Sequence, residues 1–390
     1  MKTIAFILIL FSMQMPIEAI AQKQLTLHWQ LAGKLPAETG EPVFRAQEHK
    51  GVAGAVIGWH NNILMVAGGA NFPEALPWEG GKKKYHNQIH LFEKKENQFV
   101  SLATHDKLSI PVAYAANCIT KYGIAAVGGE NETGLLADAF LFKLATERKA
   151  VLIEKLPSLP LPTTSASAVA IDDFIFILGG ETAKGTTADC WKLDLTNLVD
   201  GWKKIKALPT ALSFAYAGVY EVENKSTIVV LGGRNKTASG TSTFSKAVFS
   251  YLPALDVWIE KAALPYAMSA GTSVSLADEG LVLFGGDRGE TFSQVEQLLV
   301  AIAKAEGKEK EALIQQKNQL QINHPGFSQE VLLYNPESEK IKTISTIPYP
   351  TPVTTTAVLL NDYIVLPSGE VRAGVRTPHI LMAAIKYKQK

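Results

Sequence analysis

The sequence has very little cysteine: Cys118 and Cys190 are the only two among 390 residues. A disulfide framework is therefore excluded, and the chain could form at most one bridge. Both cysteines lie in apolar, strand-like stretches, and buried free cysteine is common. We expect two buried free thiols on different repeats, with one bridge as the alternative, and no metal site built from them.

Net charge is nearly absent as well. The chain has 38 Lys and Arg against 37 Asp and Glu, which gives a formal net charge of +1. Nothing in this balance favours binding to nucleic acid or to an anionic membrane, so a small polar ligand is the simpler partner. The 47% of hydrophobic residues can bury a large core, either in two ordinary domains or in one repeat architecture.

The chain has one apolar run that resembles a membrane or export signal, and it lies at the N-terminus. Lys2 precedes an apolar stretch at residues 4–11, and Ala-Ile-Ala at 19–21 has the small-x-small pattern of a cleavage site. The stretch is shorter than the ~20 residues that span a bilayer, which disfavours a transmembrane anchor. We therefore predict a signal peptide at 1–21 and a mature, exported chain of 22–390 without membrane insertion.

A repeat runs the length of the chain. A β-branched apolar run that ends in a glycine pair recurs as ILMVAGG, IAAVGG, IFILGG, IVVLGG and LVLFGG, with a degenerate sixth copy, YIVLPSG. The last glycines of the six copies are separated by 60, 51, 53, 53 and 83 residues. Four of these spacings are close to the ~50 residues of a kelch repeat. The sequence therefore predicts an all-β fold, a six-bladed kelch-type β-propeller with four antiparallel strands in each blade.

The two ends of the chain complement each other. Most repeats finish with an outer strand followed by Leu-Pro or Ile-Pro; the sixth lacks this strand, whereas Trp29 followed by Leu35-Pro36 has no glycine pair before it. We predict that residues 25–31 form the outer strand of the last blade, whose inner strands lie within 352–386. Such pairing of the N- and C-terminal strands closes the ring and removes exposed sheet edges.

The spacing of 83 residues contains an insertion at about 288–325. Val295, Leu298, Leu299 and Ile302 follow the i, i+3, i+4, i+7 stripe of an amphipathic helix, and a second helix-forming stretch reaches Gln321. Because the insertion leaves the blade directly after a glycine pair, it should lie over the face that carries these loops. It is either a surface hairpin or a wall of an active site.

Candidate functional residues come from the loops after the glycine pairs, which converge on the channel in a propeller. The loop GGANFPEALPWEGGKKKYHNQIHLF combines aromatic side chains with a lysine run, a combination that suits a sugar carrying a carboxylate. The loop SGEVRAGVRTPHI brings Glu370, Arg372 and Arg376 within seven residues. A solvated lysine loop and a structural ion pair are the alternatives.

These two loops resemble those of bacterial N-acetylneuraminate epimerases (mutarotases). That family consists of kelch propellers with a long GGAGF-type loop that ends in lysines and a tyrosine, and with a GE-x-x-x-G-x-R-T segment. The segment is matched here by Gly369, Glu370, Gly374, Arg376 and Thr377. The helical insertion before that blade is similar, but the blades come in rotated order. The chain therefore resembles a cyclically permuted branch of the family.

The resemblance implies interconversion of the α and β anomers of N-acetylneuraminate, with Glu370 as the proton-transfer group and Arg376 beside it. The chemistry needs a proton removed from the anomeric hydroxyl and one donated to the ring oxygen, which one carboxylate can do with a mobile proton or a water. No cofactor or metal is required. Export and a free sugar substrate together favour the periplasm. We expect substrate contacts from Asn71, Phe72, Lys84, Tyr85, Glu130, Arg234, Arg288 and Arg372.

Two alternatives remain at this stage. The segments LSFAYAG, AMSAGTS and SIPVAYA lack an arginine that kelch proteins often have there, so another acidic or acetylated sugar could be the substrate. A non-catalytic propeller that binds carbohydrate or protein is the other alternative, because fold does not determine function. It predicts Glu370 and Arg376 spread on an open rim, whereas an enzyme needs them together in a pocket. A copper radical oxidase is disfavoured because a His/Tyr/Cys cluster is lacking.

Overall fold

The computed structural model describes residues 23–37, 48–103, 106–145, 150–222, 225–277 and 279–389. The predicted signal peptide lies outside these residues. Within them, no helix is long and apolar enough to cross a bilayer.

The described residues form six four-stranded antiparallel sheets, which confirms the six-bladed propeller. The strands of the first three blades, from the channel outward, are Val56–His60, Ile63–Ala67, Ile89–Lys95 and Gln98–Leu102; Ala116–Thr120, Gly123–Val127, Ala139–Ala145 and Ala150–Leu156; Ser167–Ile171, Phe174–Leu178, Cys190–Asp194 and Lys203–Ile205. Those of blades 4 to 6 are Tyr216–Val222, Lys225–Leu231, Val248–Leu252 and Val257–Lys261; Thr272–Leu276, Gly280–Phe284, Glu330–Asn335 and Lys340–Thr346; Val358–Leu360, Tyr363–Pro367, His379–Gln389 and Lys23–Lys34.

Five blades also carry a short two-stranded hairpin after the glycine pair, within the described residues. These hairpins pair Ala70–Asn71 with Lys84–Tyr85, Glu130–Asn131 with Gly134–Leu135, Glu181–Thr182 with Gly185–Thr186, Arg234–Lys236 with Ser242–Phe244, and Glu370–Arg372 with Val375–Arg376. Pro77–Glu79 and Leu198–Asp200 are single turns of 3-10 helix.

The ring closes through its two chain ends, as the sequence predicts. The strand Lys23–Lys34 pairs antiparallel with His379–Gln389, and Trp29 lies opposite Ala383. The Trp29 ring then packs edge to face on Phe284 of blade 5, with the ring centroids 5.9 Å apart. The N-terminal strand therefore joins the last blade and also the core between that blade and its neighbour.

The hydrophobic core lies between the blades. Six clusters of buried side chains each join two adjacent blades, and the cluster between blades 5 and 6 includes Leu25 and Leu27 of the N-terminal strand. The second strand of each blade is apolar on both faces because it contacts a neighbouring blade on either side. Burial of each such Val, Leu or Phe side chain contributes about 1.5–3 kcal/mol. Cys118 and Cys190 are buried and free in these clusters, as expected.

The glycine pairs recur because the backbone leaves no room for a side chain. At Gly128 the backbone φ is +69°, and an added Cβ would lie 2.1 Å from the Thr163 carbonyl oxygen of the next blade. The N–H of the following Gly129 donates to this same oxygen at 2.8 Å. In the degenerate sixth copy Ser368 occupies this place at φ +55°, and its hydroxyl bonds to the backbone of blade 1.

A ring of six backbone hydrogen bonds surrounds the channel below these loops. Each blade has a residue with a positive φ a short distance before its inner strand. The N–H of this residue donates to the carbonyl of the equivalent residue in the neighbouring blade, at 2.7–2.9 Å. Because the six bonds form a closed circle, they hold the blades in register at the axis. The six residues are Gly54, Tyr114, Ser165, Phe214, Ala270 and Thr354.

The insertion in blade 5 forms a helical hairpin of two helices, α1 (Glu290–Ile302) and α2 (Gly307–Ile322). It is connected to three further blades. The Glu296 carboxylate accepts hydrogen bonds from Ser242 of blade 4, the Asn318 side chain donates to the Trp78 carbonyl in blade 1, and Arg372 of blade 6 donates to the end of α2. The hairpin is thus a wall over the loop face. Leu299, which the apolar stripe places inward, is half exposed.

Candidate active site

The loops after the glycine pairs enclose a cavity of about 460 Å³ over the channel. Every blade contributes at least one residue of its loop, among them Phe72, Glu130, Glu181, Arg234, Asp287 and Glu370. The floor is formed by members of the backbone ring: Tyr114, Ser165, Phe214, Ala270 and Thr354. The helical hairpin and the residues after it form the opposite wall: Thr291, Phe292, Val295, Gln321, His324 and Phe327. The convergence at this face agrees with the sequence expectation.

Glu370 and Arg376 face each other across the blade 6 hairpin, in which they are directly paired. Glu370 Oε1 accepts the N–H of Gly374 at 2.7 Å, and Arg376 Nη1 lies 3.6 Å from that oxygen. The Arg376 guanidinium stacks on the Phe72 ring at 4.8 Å, and its side chain is only 4% exposed. The structure therefore brings the two predicted catalytic residues together in a cavity.

Tyr114 is a site residue that sequence reasoning missed. Its ring contributes to the cavity floor, and Lys83 Nζ lies 5.3 Å from the ring centroid. Burial raises the pKa of its hydroxyl, and the charge of Glu370 acts in the same direction, whereas Arg376 and Lys83 oppose it. A half-buried phenol that keeps its proton is able to donate a hydrogen bond to a ligand oxygen.

A second charged group in the cavity comes from blades 1 and 2. Glu130 Oε1 accepts hydrogen bonds from Lys83 Nζ at 3.0 Å and from the Tyr85 hydroxyl at 2.7 Å. Burial disfavours the charge of Lys83, but Tyr114 and Glu130 hold the pKa of its ammonium group above the usual value. Lys83, and not the predicted Lys84, is the lysine of the run that reaches the cavity.

Asp287 and His324 are two further polar residues at the hairpin side of the cavity. Burial raises the pKa of Asp287, although a hydrogen bond from the Gly289 N–H to its Oδ1 opposes this shift. Burial lowers the pKa of His324, whereas the charge of Asp287 acts to raise it. His324 Nδ1 accepts the N–H of Gly326 at 3.0 Å, so in the neutral ring the proton resides on Nε2.

Several residues predicted to bind substrate lie elsewhere. Asn71 is fully buried and holds the loop together through Gly51 and His86. Arg288 is ion-paired with Glu330 and stacks on a tyrosine ring outside the cavity, and Arg372 is exposed beside the end of α2. Phe72, Glu130 and Arg234 line the cavity, whereas Tyr85 reaches it through its hydrogen bond to Glu130.

The residues of the described chain do not assemble a metal centre. No group of three or more His, Cys, Asp or Glu side chains within it is close enough to hold a metal ion.

Comparison with known proteins assigns this propeller to a family. The family model of N-acetylneuraminate epimerase matches residues 156–390, which is more than half of the chain. The chain belongs to the N-acetylneuraminate epimerase family. The matched region includes blades 3 to 5, the three inner strands of blade 6, the helical hairpin and the Glu370–Arg376 pair.

Individual relatives are distant and are matched over part of their length. The N-acetylneuraminate epimerase of Salmonella typhi is 23% identical over 230 residues, which cover 58% of each chain. That of Brucella melitensis biotype 1 is 27% identical over 245 residues, or 60% of each chain. This chain thus spans about 58% of the length of the Salmonella relatives that it matches.

Proposed function

We propose that this chain is a mutarotase that interconverts the α and β anomers of N-acetylneuraminate. The observation that carries the proposal is the Glu370–Arg376 pair, which faces a cavity enclosed by all six blades in a member of the N-acetylneuraminate epimerase family. The S. typhi and B. melitensis relatives are named for this sugar. The cavity volume falls within the range of small-molecule sites.

The reaction needs only proton transfer. Glu370 Oε1 is held by Gly374 and faces Arg376, whereas Oε2 accepts no hydrogen bond from the described residues. In the proposed mechanism Oε2 takes the proton of the anomeric hydroxyl as the bond between the anomeric carbon and the ring oxygen breaks. The ring oxygen takes up a proton, from Glu370 itself or through a water, and an open-chain ketone results. Rotation of the ketone and the reverse steps then close the ring on its other face.

The surroundings of Glu370 suit a sugar that is both polar and partly apolar. Phe72 and Phe327 line the cavity and supply apolar surface for sugar C–H groups and for an N-acetyl methyl group. Tyr114 offers a hydroxyl beside Glu370 that can steady the oxygen which gains or loses the proton. The arrangement supports catalysis over simple binding at an open rim, because acid, base and apolar faces surround one enclosed volume.

A proton NMR time course tests this proposal. A sialidase releases α-N-acetylneuraminate in situ, and the growth of the β-anomer is followed with wild-type protein, with Glu370→Gln and without protein. We expect faster growth with wild type and a loss of this acceleration in Glu370→Gln, because the amide cannot accept the proton. Glu154→Gln is the matched control, since Glu154 pairs with Lys143 on the outside of blade 2. Coincidence of the wild-type and protein-free curves would refute the proposal.

A further inference from the structure

Arg234 is held in an unusual position in the cavity. It follows the glycine pair of blade 4, and its guanidinium contacts two aromatic rings, 4.5 Å from the Phe214 centroid and 4.4 Å from the Phe292 centroid. Phe214 belongs to the backbone ring of the propeller, whereas Phe292 belongs to α1 of the helical hairpin. Cation–π contacts with two rings restrict the position of a guanidinium and leave its N–H groups available for hydrogen bonds.

The N–H groups of this arginine lack protein partners. The Arg234 side chain donates no hydrogen bond to any residue that the structure describes, and its Nε is fully buried without a partner. The nearest carboxylate oxygen, Glu181 Oε1, is 3.8 Å away and already accepts a hydrogen bond from the Ser213 hydroxyl. A buried N–H group without an acceptor is costly, so the Arg234 side chain is unsatisfied until an acceptor enters the cavity.

The other cations of the cavity are less available to a ligand. Arg376 Nε and Nη1 are also buried without hydrogen-bond partners, but Arg376 is only 4% exposed and lies against Glu370, whereas Arg234 is 18% exposed. Lys83 is already hydrogen-bonded to Glu130. Arg234 is therefore the cation that combines a fixed orientation, unused donors and access to the cavity.

We infer that Arg234 binds the carboxylate of the sugar acid and that Phe292 of the helical hairpin positions it. The inference rests on the proposed function and deepens it. The carboxylate of N-acetylneuraminate is attached to the anomeric carbon, so a bidentate bond to Arg234 would hold the reacting carbon in place in both anomers and in the open chain. Glu370 would then remain free for proton transfer. The hairpin thereby becomes part of substrate recognition, because it supplies one of the two rings.

The test compares an acid with its ester. Dissociation constants for N-acetylneuraminate and for its methyl ester are measured by calorimetry on the full chain. Wild-type protein should prefer the acid by roughly ten- to hundredfold, as expected for charge-assisted hydrogen bonds. Arg234→Met should abolish the preference, and Arg234→Lys, which keeps the charge but loses the bidentate geometry, should reduce it. Lys192→Met is the matched control, since Lys192 stacks on Phe174 and lines none of the cavity described above.

The ratio of the dissociation constants for the methyl ester and the acid also tests Phe292 as a positioning residue. Phe292→Leu should weaken binding of the acid and raise KM with little change in kcat or in affinity for the ester, and Phe292→Tyr should restore the preference. A folded Arg234→Lys or Arg234→Met protein that keeps the full acid preference would overturn the inference. The inference would also be overturned if Arg376→Lys lost the preference for the acid over the ester while the Arg234 variants kept it.

Failure of the inference is distinguishable from failure of the proposed function. If the wild-type chain ignores N-acetylneuraminate but binds another sugar acid, such as D-glucuronate, the proposed function fails. The role of Arg234 is then supported or overturned by the same acid and ester comparison with that ligand. If no sugar acid is preferred over its neutral counterpart, the inference is wrong as well.

Discussion

Glu296 is the buried carboxylate that fastens the helical hairpin to blade 4, and its removal should loosen the hairpin without unfolding the propeller. Its two oxygens accept hydrogen bonds from the Ser242 N–H at 2.5 Å and from the Ser242 hydroxyl at 3.0 Å. Hydrogen bonds to a charged group contribute about 1.5–3 kcal/mol each, and desolvation of the carboxylate offsets part of this sum. Glu296→Ala should therefore cost about 2–4 kcal/mol locally. Glu296→Gln, which keeps one acceptor oxygen, should cost less.

Hydrogen exchange measures this effect directly. A cost of about 2 kcal/mol corresponds to a roughly thirtyfold larger opening equilibrium, so amides of α1 and α2 should exchange that much faster in Glu296→Ala. Amides in the second strands of the blades should be unchanged, because the six inter-blade clusters do not include Glu296. If the hairpin amides of Glu296→Ala exchange at the wild-type rate, the carboxylate does not fasten the hairpin and the reasoning is refuted.

Three further predictions concern the propeller and the cavity floor. Gly128→Ala should lower the midpoint of thermal unfolding strongly, because its Cβ would lie 2.1 Å from the Thr163 carbonyl oxygen. Gly134 also has a positive φ but open space around it, so Gly134→Ala should lower the free energy of unfolding by only about 1 kcal/mol. Equal shifts of the midpoint in the two variants would contradict this. Tyr114→Phe should keep the wild-type unfolding midpoint to within a few degrees but slow anomerisation about tenfold, since a hydrogen bond of about 1 kcal/mol or more to the reacting oxygens is lost; an unchanged NMR rate would exclude the hydroxyl from the reaction. Burial lowers the pKa of His49 to about 3, so its folded form stays neutral while the unfolded chain binds a proton below pH 6.5. As pH is lowered from 6.5 to 3, the free energy of unfolding should therefore fall by about 1 kcal/mol per pH unit. His49→Asn should reduce this dependence on pH when the free energy of unfolding is measured by urea titration.

Sequence periodicity was sufficient for the architecture because the physical constraints repeat. Each glycine pair marks a place where the backbone has a positive φ and approaches the next blade, so six copies of the motif correspond to six blades. Trp29 followed by Leu35-Pro36 has the pattern of an outer strand but no glycine pair before it, and this predicted the strand that closes the ring. An open ring would leave unpaired strand edges. The loop that carries Glu370 and Arg376 could be found for the same reason: it has a fixed place after a glycine of the repeat.

Only the tertiary structure decided which neighbouring side chain enters the cavity. Lys83 and Lys84 are equivalent in sequence, but alternation of side chains along an extended segment turns just one of them toward Glu130. Arg234 directly follows its glycine pair and lines the cavity, whereas Arg288 lies one position further from the next pair and forms an ion pair with Glu330 of its own blade, outside the cavity. Tyr114 lies in a segment without charged residues and carries no motif that marks it. Such choices depend on partners that are distant along the chain, and for this reason the sequence determined the ring and its loops, whereas packing between blades and against the helical hairpin determined the site.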